Sequence, residues 1–370
     1  MMGRRTFPVL LLVLVAAALG AGCAGILPGP PAAPPAIVPV EGASLDDLPV
    51  YTFPFEDGEE TIRIDPDPAV YAGAKEADRR LHLYRNLPEE EWIPIYYRAF
   101  ESEPHLEPFY ADLLAALRGI RDQQDLDDDR YLELIATFVQ SIPYRTDASI
   151  TEPKFPIETY VDGEGDCDDK SLLLAGLLAR EGYGVALFYF GDEAHMAVGV
   201  RSAGCHYRNT TYAYIETTNT SYVGIPPAAL SNGTVLSSDP LVIPVGDGPR
   251  LYGGCDQVRT IERALSSSLA RVRALAPELA ARAQELEAER ESLETFGARL
   301  KALARSGEIR EYNRLVPEYN QKTREYNDAV QSYNALLAES RAAVDVHNHL
   351  VTHAHDRPGS YLRARAYLAE

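Results

Sequence analysis

Hydrophobic and polar positions change rhythm several times along this chain, and each rhythm predicts a different element. Two short runs, Tyr51 to Phe55 and Glu60 to Ile64, flank Asp57-Gly58. Strand-like runs on either side of an Asp-Gly pair predict a β-hairpin. From Pro68 to about Arg118 the pattern is mostly helical, with breaks at Pro88 and Pro104. Tyr131 to Gln140 predicts a further helix, and the acidic stretch Asp122 to Asp129 supplies its N-cap and first turn. Leu172 to Leu178 is apolar throughout and follows a glycine-rich turn, which predicts a buried helix ending near Gly182. Val185 to Phe190, His195 to Val200 and Thr211 to Thr218 are β-branched and aromatic runs bounded by turn residues, and they predict three strands.

Beyond Pro249 the interval becomes seven. Leu265, Val272, Leu279, Leu286, Leu293 and Leu300 recur at that spacing, with Leu275, Phe296 and Leu303 at offset three. Ser306-Gly307 interrupts the series. Tyr312, Tyr319, Tyr326 and Tyr333 then recur, each followed by Asn, with Val316, Thr323, Val330 and Leu337 four residues beyond each Tyr. Two heptad seams joined by a break predict a long antiparallel helical hairpin, a coiled coil with arms of about 60–70 Å at 1.5 Å per residue. Pro277 and Pro317 are expected to kink the arms. At heptad spacing the tyrosines belong to the seam and the asparagines to solvent. The same seams can be satisfied between chains, so a homodimer or a protein partner held through the coiled coil remains open.

Chemistry enters at Gly163-Glu-Gly-Asp-Cys-Asp-Asp-Lys170. Cys167 opens the buried helix, where unpaired N–H groups and the helix dipole favour thiolate. Asp166 suits the N-cap, and Asp168 and Asp169 suit the first turn, but their charge opposes thiolate formation. Helix position alone therefore does not activate the sulfur, and a base is required. His195 begins the second strand and Glu216 lies on the third. A cysteine on a helix, a histidine on one strand and an acid on the next make the nucleophile, base and orienter of covalent acyl transfer.

These residues resemble the transglutaminase-like superfamily of papain-like cysteine enzymes, and its exported prokaryotic members in particular. The resemblance is carried by Phe138-Val-Gln140-Ser-Ile-Pro-Tyr144, Phe155-Pro-Ile-Glu-Thr-Tyr160, the Cys167 segment, His195 to Val200, Tyr212 to Thr218, and Tyr222-Val-Gly-Ile-Pro226. It implies a papain-like core, a helix packed on an antiparallel sheet, within an α+β fold. It further implies Cys167 as nucleophile, His195 as general base then acid, and Glu216 as the group orienting the imidazole. Glu216 departs from the aspartate more usual in the superfamily. The oxyanion needs preorganised donors. The Cys167 N–H is one candidate and the Gln140 side chain, placed near the site by the resemblance, is the second. No cofactor or metal is implied, and the substrate class is a protein or peptide amide. A catalytically inert cell-surface scaffold that works through the hairpin is the alternative.

Composition narrows the setting. The 370 residues include 55 acidic and 35 basic side chains, for a formal charge of −20, with no basic stripe, which argues against nucleic acid. Arg4 and Arg5 precede an apolar run from Pro8 to Leu19 that ends Gly20-Ala-Gly22-Cys23, the layout of a secretory leader. Cys23 is the expected lipid attachment site, although Gly20 stands where such sites carry Leu. An uncleaved anchor is the alternative. Either route predicts an exported, cell-surface chain held at the membrane. Cys205 and Cys255 either pair, closing a loop worth about 4 kcal/mol, or remain two separate buried thiols.

The expected organisation is a leader (1–23), a Pro-rich tether (24–45), an N-terminal hairpin and helices (46–120), the catalytic domain (121–248), the helical hairpin (256–350) and a tail (351–370). Asp125, Asp127 and Asp129 alternate as in a calcium loop, but Arg130 replaces the required glycine, so a helix start is the reading. His347, His349, His353 and His355 crowd the tail. His349 and His353 have the spacing of helical zinc ligands, yet Leu350 stands where a metalloprotease helix needs Glu. A frayed polar helix end is expected there, with a structural or adventitious metal as the alternative. Asn209, Asn219 and Asn232 begin glycosylation-type triplets, which point to surface loops.

Overall fold

The computed structural model describes residues 32–146 and 152–369. The leader, Cys23 and the first part of the tether lie outside the described residues. In chain order the elements are β1 (Ala32–Ala33), β2 (Tyr51–Phe55), β3 (Gly58–Ile62), α1 (Pro68–Glu76), β4 (His82–Leu83), α2 (Glu89–Glu101), α3 (Glu107–Gln124), α4 (Asp128–Ser141), α5 (Pro156–Asp162) and α6 (Cys167–Arg180). Then follow β5 (Gly184–Phe190), β6 (His195–Arg201), β7 (Tyr212–Ile215), β8 (Leu241–Asp247), α7 (Cys255–Ser306), α8 (Ile309–Thr352) and α9 (Arg357–Ala369). The fold is α+β, and the two longest helices are those that carry the heptads.

The central sheet is antiparallel with order β7-β6-β5-β8. Alternation decides its faces. Val185, Leu187, Met196, Val198 and Val200 bury one face together with the leucines of α6, while Phe188, Phe190, Tyr207, Tyr212 and Tyr214 cluster on the other. Leu172 to Leu178 of α6 are buried all round, because α3, α4 and the sheet enclose that helix. Gly176 admits the Tyr110 ring at a distance no side chain would allow, since a Cβ there would stand 2.2 Å from the tyrosine oxygen.

The N-terminal hairpin packs on α4 through Tyr51 and Phe53, whose rings lie 5.4 and 5.8 Å from Phe138. Its turn differs from expectation: Phe55 pairs with Gly58, so Glu56 and Asp57 form the turn and β3 starts two residues early. Glu56 takes the left-handed conformation, at φ 51°. Arg130 grips both its carboxylate oxygens at 2.6 Å, so a tertiary ion pair holds it there against local preference. The strand β8 had no sequence expectation. Pro244 lies within it, and proline is admitted there because β8 is an edge strand with a register shift opposite Val185 and Ala186.

The helices α7 and α8 form an antiparallel hairpin. Arg271 Nε reaches Glu339 at 2.6 Å near its base, and the Phe296 and Tyr319 rings meet at 5.6 Å further out. Tyr312, Tyr319, Tyr326 and Tyr333 are half-buried in the seam, and Asn313, Asn320, Asn327 and Asn334 are exposed. Pro277 and Pro317 sit inside continuous helices and end neither arm.

The tail does not fray. It folds back as α9, burying Arg357, Ser360 and Ala364. Arg357 Nε reaches Glu133 of α4 at 2.5 Å, and Tyr252 donates to the same carboxylate at 2.7 Å. Cys205 and Cys255 are joined in a disulfide, which ties the loop after β6 to the first residue of α7.

Candidate active site

The first turn of α6, the start of β6 and the end of β7 converge on one corner of the sheet. Asp166 caps α6, accepting from Asp169 N at 3.4 Å, while Asp169 accepts from Asp166 N at 3.2 Å in a reciprocal capping box. Gly165 fits beneath this box, where a Cβ would meet that of Asp169 at 2.9 Å. Ser171 donates to the Met196 carbonyl at 3.3 Å and meets the Thr217 hydroxyl at 3.1 Å. Thr217 reaches back to the Cys167 carbonyl at 3.5 Å. One hydroxyl pair therefore stitches the turn carrying Cys167 to the strand ends carrying His195 and Glu216.

Cys167 is the one free cysteine among the described residues. Burial, and then the charges of Asp168 and Asp166, push the thiol well above its ordinary value. The sulfur therefore rests protonated, as the flanking acids led us to expect. Asp168 is itself raised by burial and by its neighbours Asp166 and Asp169, and Asp169 is raised to about 6 by burial and the Asp166 charge. Ligand atoms of Asp166, Cys167 and Asp168 lie within 4.8 Å of one another, close enough for a common cation. A thiolate committed to a metal is not a free nucleophile, so the two uses of this turn exclude each other.

His195 is 6% exposed and stacks on Phe190, with ring centroids 6.1 Å apart. Its Nε2 lies 3.2 Å from the Tyr214 hydroxyl and 3.4 Å from Glu216 Oε2. Tyr214 donates its own proton to Glu216 Oε2 at 2.8 Å. The tyrosine oxygen can then only accept from the ring, so Nε2 carries the hydrogen and Nδ1 keeps the lone pair. Glu216 Oε1 accepts from Thr217 N at 3.0 Å, Thr218 N at 2.9 Å and Thr218 Oγ1 at 2.8 Å. Burial alone would raise this carboxylate, but the hydrogen bond and charge of His195 and the Thr218 donors hold it down at about 2. The same side-chain bonds curl the chain and end β7 at Ile215, three residues before the expected strand end. Among the described residues no hydrogen bond joins the Cys167 sulfur to the His195 ring.

Gln140 departs from its expected role. Its Nε2 donates to the Glu216 carbonyl at 2.8 Å and the Ser221 carbonyl at 3.2 Å, and its Oε1 accepts from Ser221 N at 3.3 Å. Both amide hydrogens are spent on backbone, so Gln140 has no donor left for an oxyanion. It clamps the loop that carries the acid.

Three neighbours were not singled out in the sequence. Tyr214 reads there as one more aromatic of a buried strand. Lys170 reads as a surface cation, yet it is fully buried and donates to the Gln140 and Ile142 carbonyls at 3.1 and 2.6 Å. Burial lowers it to about 8, with the Glu216 charge opposing. Tyr144 stands beside Gly165 in a backbone bridge. In the sequence it is only the last residue of the Phe138-to-Tyr144 segment that carries part of the resemblance.

Elsewhere, the His349 and His353 rings stack at 4.0 Å, and His353 Nδ1 turns back to the His349 carbonyl at 3.0 Å. Among the described residues these imidazoles do not gather with a third ligand around one point. Asp125 ends α3 and Asp127 caps α4, accepting from Arg130 N at 2.8 Å, so the acidic stretch is a helix junction. Asn209, Asn219 and Asn232 are exposed in loops. No described helix is long and apolar enough to cross a membrane. Comparison with family models, curated proteins and solved structures finds no match to this chain.

Proposed function

We propose that this chain is an exported transglutaminase-like cysteine enzyme, built on a papain-like core, that acts on amide bonds of protein or peptide substrates through Cys167, His195 and Glu216. The observation that carries the reading is the Glu216–His195 arrangement at the mouth of the Cys167 helix. An ionised acid and a tyrosine hold Nε2–H, which leaves Nδ1 to receive a proton. The protonated resting thiol makes this a concerted activation: His195 takes the proton as the sulfur attacks the carbonyl carbon. The imidazolium then protonates the departing amine, and a thioester remains on Cys167. Water resolves it in a peptidase or amidase, and an amine does so in acyl transfer. No cofactor is needed for either outcome.

The disulfide between Cys205 and Cys255 supports an oxidising compartment, in keeping with export and attachment through the leader or a lipid on Cys23. The length of the α7–α8 hairpin leaves room for a second, compatible role as an arm that holds a protein partner or a second copy. In an inert scaffold that arm would be the whole function.

Iodoacetamide labelling of the full chain tests the enzymatic reading. Cys167 should alkylate near neutral pH, about 100-fold faster than in His195→Ala, because general-base help of this kind contributes roughly 10²–10⁴. A labelling rate equal to that of a simple thiol, and indifferent to His195, would leave only the scaffold.

A further inference from the structure

Attack of the Cys167 sulfur on an amide carbonyl, as its proton passes to His195, moves the C=O electron pair onto oxygen, and that oxyanion needs preorganised donors. The Cys167 N–H, first in α6, is one: helix-start N–H groups have no intrahelical acceptor. The second must be a hydrogen-bearing group beside the sulfur that is not already engaged. Gln140 has spent both amide hydrogens and Tyr214 gives its proton to Glu216, while Lys170, which keeps a third hydrogen, is fully buried with its amine turned to the Gln140 and Ile142 carbonyls.

We propose that the Tyr144 hydroxyl is the second oxyanion donor, making it a catalytic residue in place of Gln140. The proposal rests on the acyl-transfer reading of Cys167, His195 and Glu216. The chain around Tyr144 is pinned to the nucleophile turn: Gly165 N donates to the Pro143 carbonyl at 3.2 Å and Arg145 N to the Gly165 carbonyl at 3.0 Å. Tyr144 thereby sits alongside a residue two positions before Cys167. Tyr144 is 42% exposed, and its hydroxyl has no hydrogen-bond partner among the described residues.

Four groups act on that hydroxyl electrostatically: Cys167, Asp166, Asp168 and Glu216. Burial first, and then these neighbours, raise it to about 12, so it stays protonated and able to donate. Tyr97 also feels Cys167, and its ring is packed against Tyr96 and Tyr189, at 5.2 and 5.7 Å. Tyr97 is therefore the competing donor that the experiment must exclude.

The step balances without net transfer from the tyrosine. The S–C bond forms as the carbonyl π pair moves to oxygen, which accepts hydrogen bonds from Cys167 N–H and Tyr144 O–H. Collapse restores C=O and breaks the C–N bond, and the amine takes its proton from His195. Tyr144 keeps its hydrogen throughout.

Two reagents separate this role from thiol activation. p-Nitrophenyl acetate acylates Cys167 through an oxyanion, whereas iodoacetamide alkylates it by displacement and forms none. In the full chain, Tyr144→Phe should slow the p-nitrophenolate burst about 100-fold, in the range for loss of one oxyanion donor, and leave alkylation within twofold. Tyr97→Phe should leave both rates within twofold. An unchanged burst in Tyr144→Phe overturns the assignment, as does an equal fall in both reactions, which would place Tyr144 on the sulfur. A burst lost only in Tyr97→Phe moves the donor to α2 and also overturns it. If wild-type Cys167 reacts with both reagents like a simple thiol, regardless of His195, the acyl-transfer reading itself falls, a result distinct from these.

Discussion

Gln140 donates across 2.8 Å to the carbonyl oxygen of Glu216, so α4 holds the backbone of the residue whose side chain orients the imidazole. Two further bonds to Ser221 close the clamp. Gln140→Ala should cost about 2–3 kcal/mol, the sum of three modest net hydrogen bonds, read as a shift in the urea midpoint. It should also slow Cys167 acylation by loosening Glu216. Loss of stability without any change in rate would show that the clamp and the site are independent.

Glu216 is held near 2 against an unfolded value of about 4.5, so the folded state binds fewer protons between those limits. Its stabilising contribution, roughly 3 kcal/mol as an upper figure, is complete above pH 4.5 and is lost as pH falls toward 2. Glu216→Gln should flatten that acid loss in urea titrations from pH 5 to pH 2. It should also slow acylation by about 10²–10⁴, since the analogous loss of an orienting acid in a serine triad costs about 10⁴.

Lys170 gives the opposite pH signature. Burial holds it at about 8 in the folded chain, against about 10.5 when unfolded, so the unfolded state binds more protons between these values. Its contribution to stability therefore rises with pH from 8 to 10.5. Lys170→Met should lack this rise. The wild-type minus variant difference in urea midpoint isolates it from the tyrosines, whose raised values pull the other way above pH 10. A difference that does not change between pH 8 and pH 10 would place the lysine in water.

Arg357 and Glu133 join α9 to α4 across 224 residues of sequence. Arg357→Ala leaves Glu133 buried with only Tyr252 as partner, and should destabilise by about 3–5 kcal/mol. Glu133→Gln in the same chain should recover part of that loss, because the unpaired charge is then gone. Additive losses in the double variant would mean the two groups do not interact.

The Cys205–Cys255 disulfide closes a 50-residue loop between the central sheet and the hairpin. Replacing both by Ser should lower stability by about 4 kcal/mol on the chain-entropy account. Calorimetry with and without reductant on wild type and variant measures it, and reductant should have no effect on the variant.

Much of the architecture was legible because it is local. The heptads of α7 and α8, the apolar run of α6 and the Asp166–Asp169 cap are read from neighbours within a turn or two. The three strands that carry or approach the site followed from β-branched and aromatic runs bounded by turn residues, which are equally local. The turn at Glu56 was not legible, since Arg130, 74 residues away, holds its backbone where Asp-Gly chemistry would not. Nor was β8, whose proline is tolerated only because nothing pairs with its outer edge.

By itself, the order of residues determined the heptad helices, the buried α6 and the three strands from Val185 onward, and put a cysteine, a histidine and an acid on neighbouring elements. Those are matters of period, capping and residue type. Only the tertiary structure decided who bonds to whom: that Tyr214 stands between His195 and Glu216, that Gln140 spends its amide on a loop, that Lys170 lies inside, and that the tail becomes α9. Each of these depends on which polar groups find a partner after the chain is compact. That selection is made among atoms far apart in sequence by the cost of leaving any of them buried and unpaired.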